Sequence, residues 1–247
     1  FNQGDTIRIN IAKAGYQSNF AEASPLPDDF YQIYLSCPCS ESPTLADFDG
    51  NVYNTVQIGD QCWMKENLKT THYANGSAIA EGSTAYPGNN SELKSIYGLL
   101  YSATAIMNGS AGSDSNPSGV QGACPDGWHV PSDEEWMQLE RYLGMDSLEA
   151  TYAGEYIFRG DDQGGQLKEP GTSHWNAATT CNNNRSGFTA LASGINSWLL
   201  GICASWWACA TVGNPQEIFF FRKIDNTCQI NKMFDSQSFR SVRCIKD

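Results

Sequence analysis

The chain has 247 residues, 40% of them hydrophobic and 17% charged, with a formal net charge of −12 and a pI near 4.6. That length fits one large domain, or one domain with an appendage. The acidic field repels phosphate backbones and argues against nucleic acid as a partner. No run of about 18 apolar residues is present, so no segment reads as a membrane-spanning helix.

The nine cysteines (Cys37, Cys39, Cys62, Cys124, Cys181, Cys203, Cys209, Cys228 and Cys244) are scattered, with no CxxC and only three histidines. Zinc sites need clustered thiolates and imidazoles, so disulfides in an oxidising compartment are the better reading. An odd count leaves at least one thiol free or paired outside the chain. The sequence opens at Phe1 without a signal-like stretch, so a signal peptide or lipid anchor is expected to lie outside it.

In chain order, residues 1–45 read as an appended strand or the tail of a preceding domain, because Ile7, Ile9 and Ile11 alternate. Residues 46–247 read as the main domain. Its first stretch, Asp47-Phe48-Asp49-Gly50-Asn51, invites comparison with a calcium loop. An EF-hand needs Gly at position 6 and Glu at 12. Counting from Asp47 puts Val52 and Ile58 there, so an Asp-Gly hairpin turn is expected, with Val52, Val56 and Ile58 in the following strand. Gly59-Asp60 is a second turn. "YGLLYSATAIMNG" (97–109) has the spacing of a short helix.

"CPDGWHVPSDEEWMQLERYLG" (124–144) is the clearest helix signal. Ser132 and Glu135 form a capping box, Asp133–Glu135 suit the helix dipole, and Trp136, Leu139, Tyr142 and Leu143 share one face. Helix-start placement explains those acids without catalysis. The stretches 205–207, 217–224, 227–231 and 239–247 read as strands of one antiparallel sheet, giving an α+β class.

Several of these stretches, with "GGQLKEPGTSHWN", "RSGFTALASG", "SWW" and "SVRCIKD", occur in the order typical of the Fibrobacter succinogenes major paralogous domain. The resemblance covers roughly residues 46–247. It implies a secreted or outer-surface protein, often a lipoprotein, of Bacteroidetes or Fibrobacteres, and carries no defined activity. "WHVPSDEEW" and "SFRSVRC" are similar, more distantly, to stretches of the sulfatase-modifying enzymes, which implies a C-type-lectin-like architecture: two helices, a twisted antiparallel sheet and long loops. By that resemblance Cys124, entering the helix, pairs with Cys244 in the last strand. Cys62 is expected to bridge to Cys39 or Cys37, and Cys209 to Cys228.

The leading functional expectation is a non-catalytic recognition or adhesion module for glycan or protein, with Trp198, Trp206, Trp207 and Asn196 as ligand-binding residues. Aromatic faces stack on sugar C–H surfaces and nearby amides hold hydroxyls. Core packing is the competing reading for Trp206 and Trp207, since tryptophan is highly buried on average. No calcium-lectin signature is present, and no cofactor or metal is expected. An enzyme like the sulfatase modifiers would use a copper-binding cysteine pair. Cys203 and Cys209 lie in the right region but six apart, one more than that family's spacing. A structural tip or cap on a surface appendage is a further reading, with residues 5–13 adding a strand to a neighbour. Arg159-Gly160-Asp161 spells an integrin tripeptide that chance explains better. His129 and His174 read as packing or loop residues.

Overall fold

The computed structural model describes residues 17–18, 35–176, 181–212 and 218–247. The strand expected over residues 5–13 lies outside them. In chain order the elements are β1 (Gln17–Ser18), β2 (Leu35–Ser36), β3 (Thr44–Ala46), β4 (Val52–Ile58), β5 (Gln61–Met64), β6 (Thr84–Ala85), α1 (Lys94–Tyr97), β7 (Leu100–Tyr101), α2 (Ala103–Met107) and β8 (Trp128–His129). There follow α3 (Asp133–Tyr142), β9 (Phe158–Arg159), α4 (Gln163–Leu167), β10 (Ala204–Val212), β11 (Ile218–Ile224), β12 (Ile230–Asp235) and β13 (Ile245–Lys246). One sheet runs β3-β4-β5-β13-β8 and another β10-β11-β12-β9, with two-stranded pairs β1-β2 and β6-β7. The fold is α+β and disulfide-stabilised. Among the described residues no helix is long and apolar enough to cross a membrane.

The opening stretch is a hairpin. Gly50 adopts φ +78°, and Asp47 caps the turn by accepting from the Asn51 backbone N–H at 2.9 Å and from the Tyr53 hydroxyl at 2.5 Å. Asp49 points elsewhere, to Thr71 and to His72 Nδ1 at 2.5 Å. The two carboxylates therefore serve separate local bonds. At the second turn Gly59 has φ +59°, and a Cβ there would come within 2.8 Å of the Tyr142 ring. Tyr142, expected on the buried face of its helix, instead lies exposed across that glycine.

The capping box of α3 is present in both directions: Ser132 Oγ accepts from the Glu135 N–H, and Glu135 accepts from the Ser132 N–H. The helix expected over 97–109 is broken. Gly98 (φ +77°) ends α1, β7 intervenes, and α2 stops where Asn108 turns left-handed at φ +47°. The C-terminal stretches do not make one sheet. Three of them become β10, β11 and β12, but β13 crosses to the other sheet and pairs through Ile245 with Trp63 and His129. The Met64 N–H to Cys244 carbonyl bond and the Cys124–Cys244 disulfide hold it there.

β10 is buried on both faces, and its period-2 alternation divides the core. Trp207 faces a cluster with Tyr53, Tyr101, Ile106, Phe219 and Phe221. Trp206 faces the opposite cluster with Trp63, Trp136, Phe188 and Ile230. The three disulfides are Cys39–Cys62, Cys124–Cys244 and Cys181–Cys228. The expected Cys209–Cys228 bridge is a correction: Cys228 reaches Cys181 beside α4, while Cys209 Sγ points from β10 at the carbonyls of Ser113 and Val130.

Candidate recognition loop

The segment Gly194–Cys203 projects from the sheet just before β10. Its tip is a two-residue hairpin closed by Ile195 N–H to Trp198 carbonyl (2.8 Å) and Trp198 N–H to Ile195 carbonyl (2.7 Å). Asn196 and Ser197 supply the positive φ angles of a primed turn, +49° and +63°. Leu199 follows at φ +60°, a conformation rare for a branched side chain and often tied to function. Gly194 is needed beneath the tip, because a Cβ there would lie 2.1 Å from the Trp198 carbonyl oxygen.

The loop is tied on three sides. Asn196 bonds both the N–H and the carbonyl of Phe239. Asn176 donates its backbone N–H to the Gly201 carbonyl at 2.7 Å and its side chain packs on Gly201. Leu200 packs on Gly88. The exposed result is Trp198, 73% accessible, flanked in sequence by exposed Leu199 and near it Ile202.

Of the four residues expected to meet a ligand, only Trp198 presents its ring to solvent. Asn196 is exposed but its amide oxygen is spent on the Phe239 N–H, so it positions the loop. Trp206 and Trp207 are core residues, a correction to the ligand-binding expectation. Trp206 Nε1 donates to Asn67 Oδ1 at 2.8 Å and Trp207 Nε1 to the Tyr101 carbonyl at 2.8 Å, so neither ring edge is left for a partner. Leu199 and Ile202, outside the four expected residues, are exposed beside Trp198 in the loop. Their signal was the Asn-Ser turn pair followed by apolar residues that no period assigns to a face.

The copper reading also fails on geometry. A strand rising about 3.3 Å per residue sets Cys203 and Cys209 about 20 Å apart, beyond any shared metal. Both are buried, and burial pushes their thiols up to about 11 and about 12. Cys37, Cys203 and Cys209 are the free cysteines. A thiol reagent is expected to modify at most Cys37 in the native protein and all three after unfolding; rapid native labelling of Cys203 or Cys209 would contradict their burial.

The integrin tripeptide is closed off too. Arg159 is fully buried and bidentate to Glu140, at 2.8 and 2.9 Å. His129 is likewise committed: Nε2 meets Glu135 at 2.7 Å and Nδ1 meets Asp247 at 2.6 Å, so neither nitrogen can serve a substrate. Burial alone would lower its pKa, but the bonds and charges of the two carboxylates outweigh that and raise it. The sign follows from linkage: this contribution is full below the unfolded value near 6.5 and is lost as pH rises through the raised folded value. A thermal-melt series across that range should show the loss in the native protein and a flatter profile in His129→Asn.

His174 Nδ1 bonds Glu169 at 2.8 Å and stands edge-on to Tyr97. Buried Lys168 lies 5.0 Å over the Trp175 ring, and burial lowers it to about 8. Among the described residues no group of three or more His, Cys, Asp or Glu is placed to hold a metal ion.

Comparison with curated proteins and with solved structures gave no match. The family model of the Fibrobacter succinogenes major domain matches residues 56–246, which span β4 to β13 and include the Trp198 loop. The chain belongs to that family.

Proposed function

We propose that this chain is a non-catalytic recognition or adhesion module of a secreted or outer-surface protein, built on a C-type-lectin-like fold, and that it engages a glycan or protein partner through the Trp198 loop. One observation carries the reading: a tryptophan 73% exposed on a backbone fixed by three left-handed residues and ties to Phe239, Asn176 and Gly88. A large exposed aromatic on a fixed loop loses little entropy on binding, and tryptophan is enriched among residues that dominate interface energy. Trp198 offers a face for a sugar ring or an apolar side chain. Asn176, whose Nδ2 donates to the Leu200 carbonyl at 3.4 Å, braces the loop, and Leu199 and Ile202 offer an apolar margin.

The lectin-like form draws support from the Cys124–Cys244 bridge, which joins the approach to α3 to the last strand. The extracellular location draws support from three disulfides in one chain. The test is a glycan array together with binding of the oxidised protein to whole cells. Trp198→Ala should lose about 2 kcal/mol of binding, roughly 30-fold, while its melting temperature stays unchanged. Trp198→Phe should keep most of the binding. Equal binding by Trp198→Ala and the native protein would rule out this loop as the contact.

A further inference from the structure

A second surface stands apart from the Trp198 loop. Between α3 and β9 the chain makes a compact excursion whose two ends meet. Arg159 Nη1 donates to the Ala150 carbonyl at 2.8 Å, and the Gly160 N–H donates to Glu149 Oε1 at 2.8 Å. The middle is pinned along β12, the neighbouring strand, by Gly154 N–H to Lys232 carbonyl (3.0 Å) and Asn231 Nδ2 to Ile157 carbonyl (2.9 Å). This is an Ω-type loop, closed at its base and bonded along its length.

Its side chains run against the usual rule. Leu148, Tyr152, Tyr156, Ile157 and Phe158 are all exposed, Tyr156 at 82%. Contiguous aromatic exposure of this kind on a fixed loop marks a contact surface more often than a solvated face. Within the segment itself the exposed charges are acidic, and the nearest exposed cation that meets it is Arg185, paired with Asp162 at 3.8 Å at its far edge. Asp146, Glu155 and Asp161 are exposed, and the only Lys or Arg from residue 142 to 162 is Arg159, which is buried. An aromatic centre with an acidic margin complements a partner that carries apolar and basic side chains together. Two copies of this acidic patch would face each other with like charges, and an anionic membrane would be repelled.

We propose that the 148–158 loop is a second docking surface, and that its occupant is a basic segment of a protein partner. Apolar side chains of that segment pack against Tyr152, Tyr156 and Phe158, while its Lys or Arg side chains meet Asp146, Glu155 and Asp161. Arg159, the residue that sequence alone offers to integrins, is the internal anchor that closes the loop.

The probe is a fluorescein-labelled synthetic peptide alternating Lys with Leu and Phe, compared with its Glu counterpart by fluorescence anisotropy. The native protein should bind the basic peptide, more weakly as salt rises, and should not bind the acidic one. Tyr156→Ser should weaken binding at least 10-fold without changing the melting temperature, because its side chain is exposed; Tyr152→Ser serves as a second variant. The charge reversal Glu155→Lys with Asp161→Lys should weaken it as well, and Trp198→Ala should leave it unchanged. The proposal is overturned if Tyr156→Ser and Tyr152→Ser bind the basic peptide like the native protein, which would leave only the general attraction of a chain of charge −12. It is equally overturned if the acidic peptide binds as well, or if Tyr156→Ser abolishes self-association or binding to neutral vesicles while leaving peptide binding intact.

Discussion

Glu140→Ala is expected to destabilise the protein by about 3–5 kcal/mol, the range for breaking a buried ion pair from one side. Glu140 is fully buried on α3. It accepts from Arg159 Nη1 and Nη2 and from Arg222 Nε at 2.6 Å. Arg222 continues to Asp133 at 2.6 Å, and Asp133 also pairs with Lys232. Two carboxylates thus balance three buried cations. Without Glu140 Arg159 has no carboxylate partner and Asp133 alone faces Arg222 and Lys232, so two guanidinium groups lose acceptors that water cannot replace. At roughly 2–4 °C per kcal/mol for a chain of this size, the melting temperature should fall by about 6–20 °C. Glu140→Gln keeps the shape and one acceptor oxygen, so it should lose less. A melt for Glu140→Ala within about 2 °C of the native value would show that the cluster hydrates freely. The same variant should loosen the 148–158 loop, since Arg159 closes it, and hydrogen exchange at Tyr156 and Ile157 would report that separately from global stability.

The acid side of this cluster has a defined pH sign. Burial would raise Asp133, but Arg222 and Lys232 outweigh it and hold the carboxyl below its ordinary value. Its contribution is therefore present above the usual carboxylate value and is lost as pH falls through the lowered folded one.

Parts of this molecule were legible before any coordinates. The Ser132–Glu135 capping box and the Asp49-Gly50 turn are local, set by residues three or four apart, and both are present. The resemblance to a C-type-lectin-like architecture pointed to the Cys124–Cys244 bridge, which no spacing would have given. What escaped was non-local. Asp133 and Glu140 look like ordinary helix-surface acids until Arg222 and Lys232, some 90 residues later, are folded onto them. β13 was assigned to its neighbours in sequence, but its partners are β5 and β8, fixed by the disulfide and by Ile245. Trp198, Trp206 and Trp207 could not be sorted by residue type. Trp206 and Trp207 are consecutive in a strand buried on both faces, so alternation sends them to opposite cores. Trp198 sits on a left-handed turn that has no inside face.

That sorting leads to the second large effect. Trp206→Ala is expected to destabilise by about 3–5 kcal/mol, the range for truncating a buried large aromatic. The ring stands edge-on to Phe188 at 5.4 Å and tilted against Trp136 at 6.1 Å. Its Nε1 shares Asn67 Oδ1 with Arg243 Nε, which donates at 2.9 Å. Arg243 is itself buried, stacks over Phe188 at 4.0 Å, and is lowered by burial to about 9. Removing Trp206 therefore opens a cavity and strips one wall from a buried cation that depends on aromatic faces and the carbonyls of Phe188 and Thr189. Trp206→Phe should cost about 1–2 kcal/mol, because Asn67 keeps Arg243 as a donor and much of the volume is retained. Trp198→Ala makes the opposite pattern: stability within about 0.5 kcal/mol of the native protein, as for exposed sites, with binding lost. Chemical unfolding of the three variants beside one binding assay separates the two roles. A stable Trp206→Ala would show that the core beside β10 collapses around the missing ring, and a destabilised Trp198→Ala would make that tryptophan a packing residue.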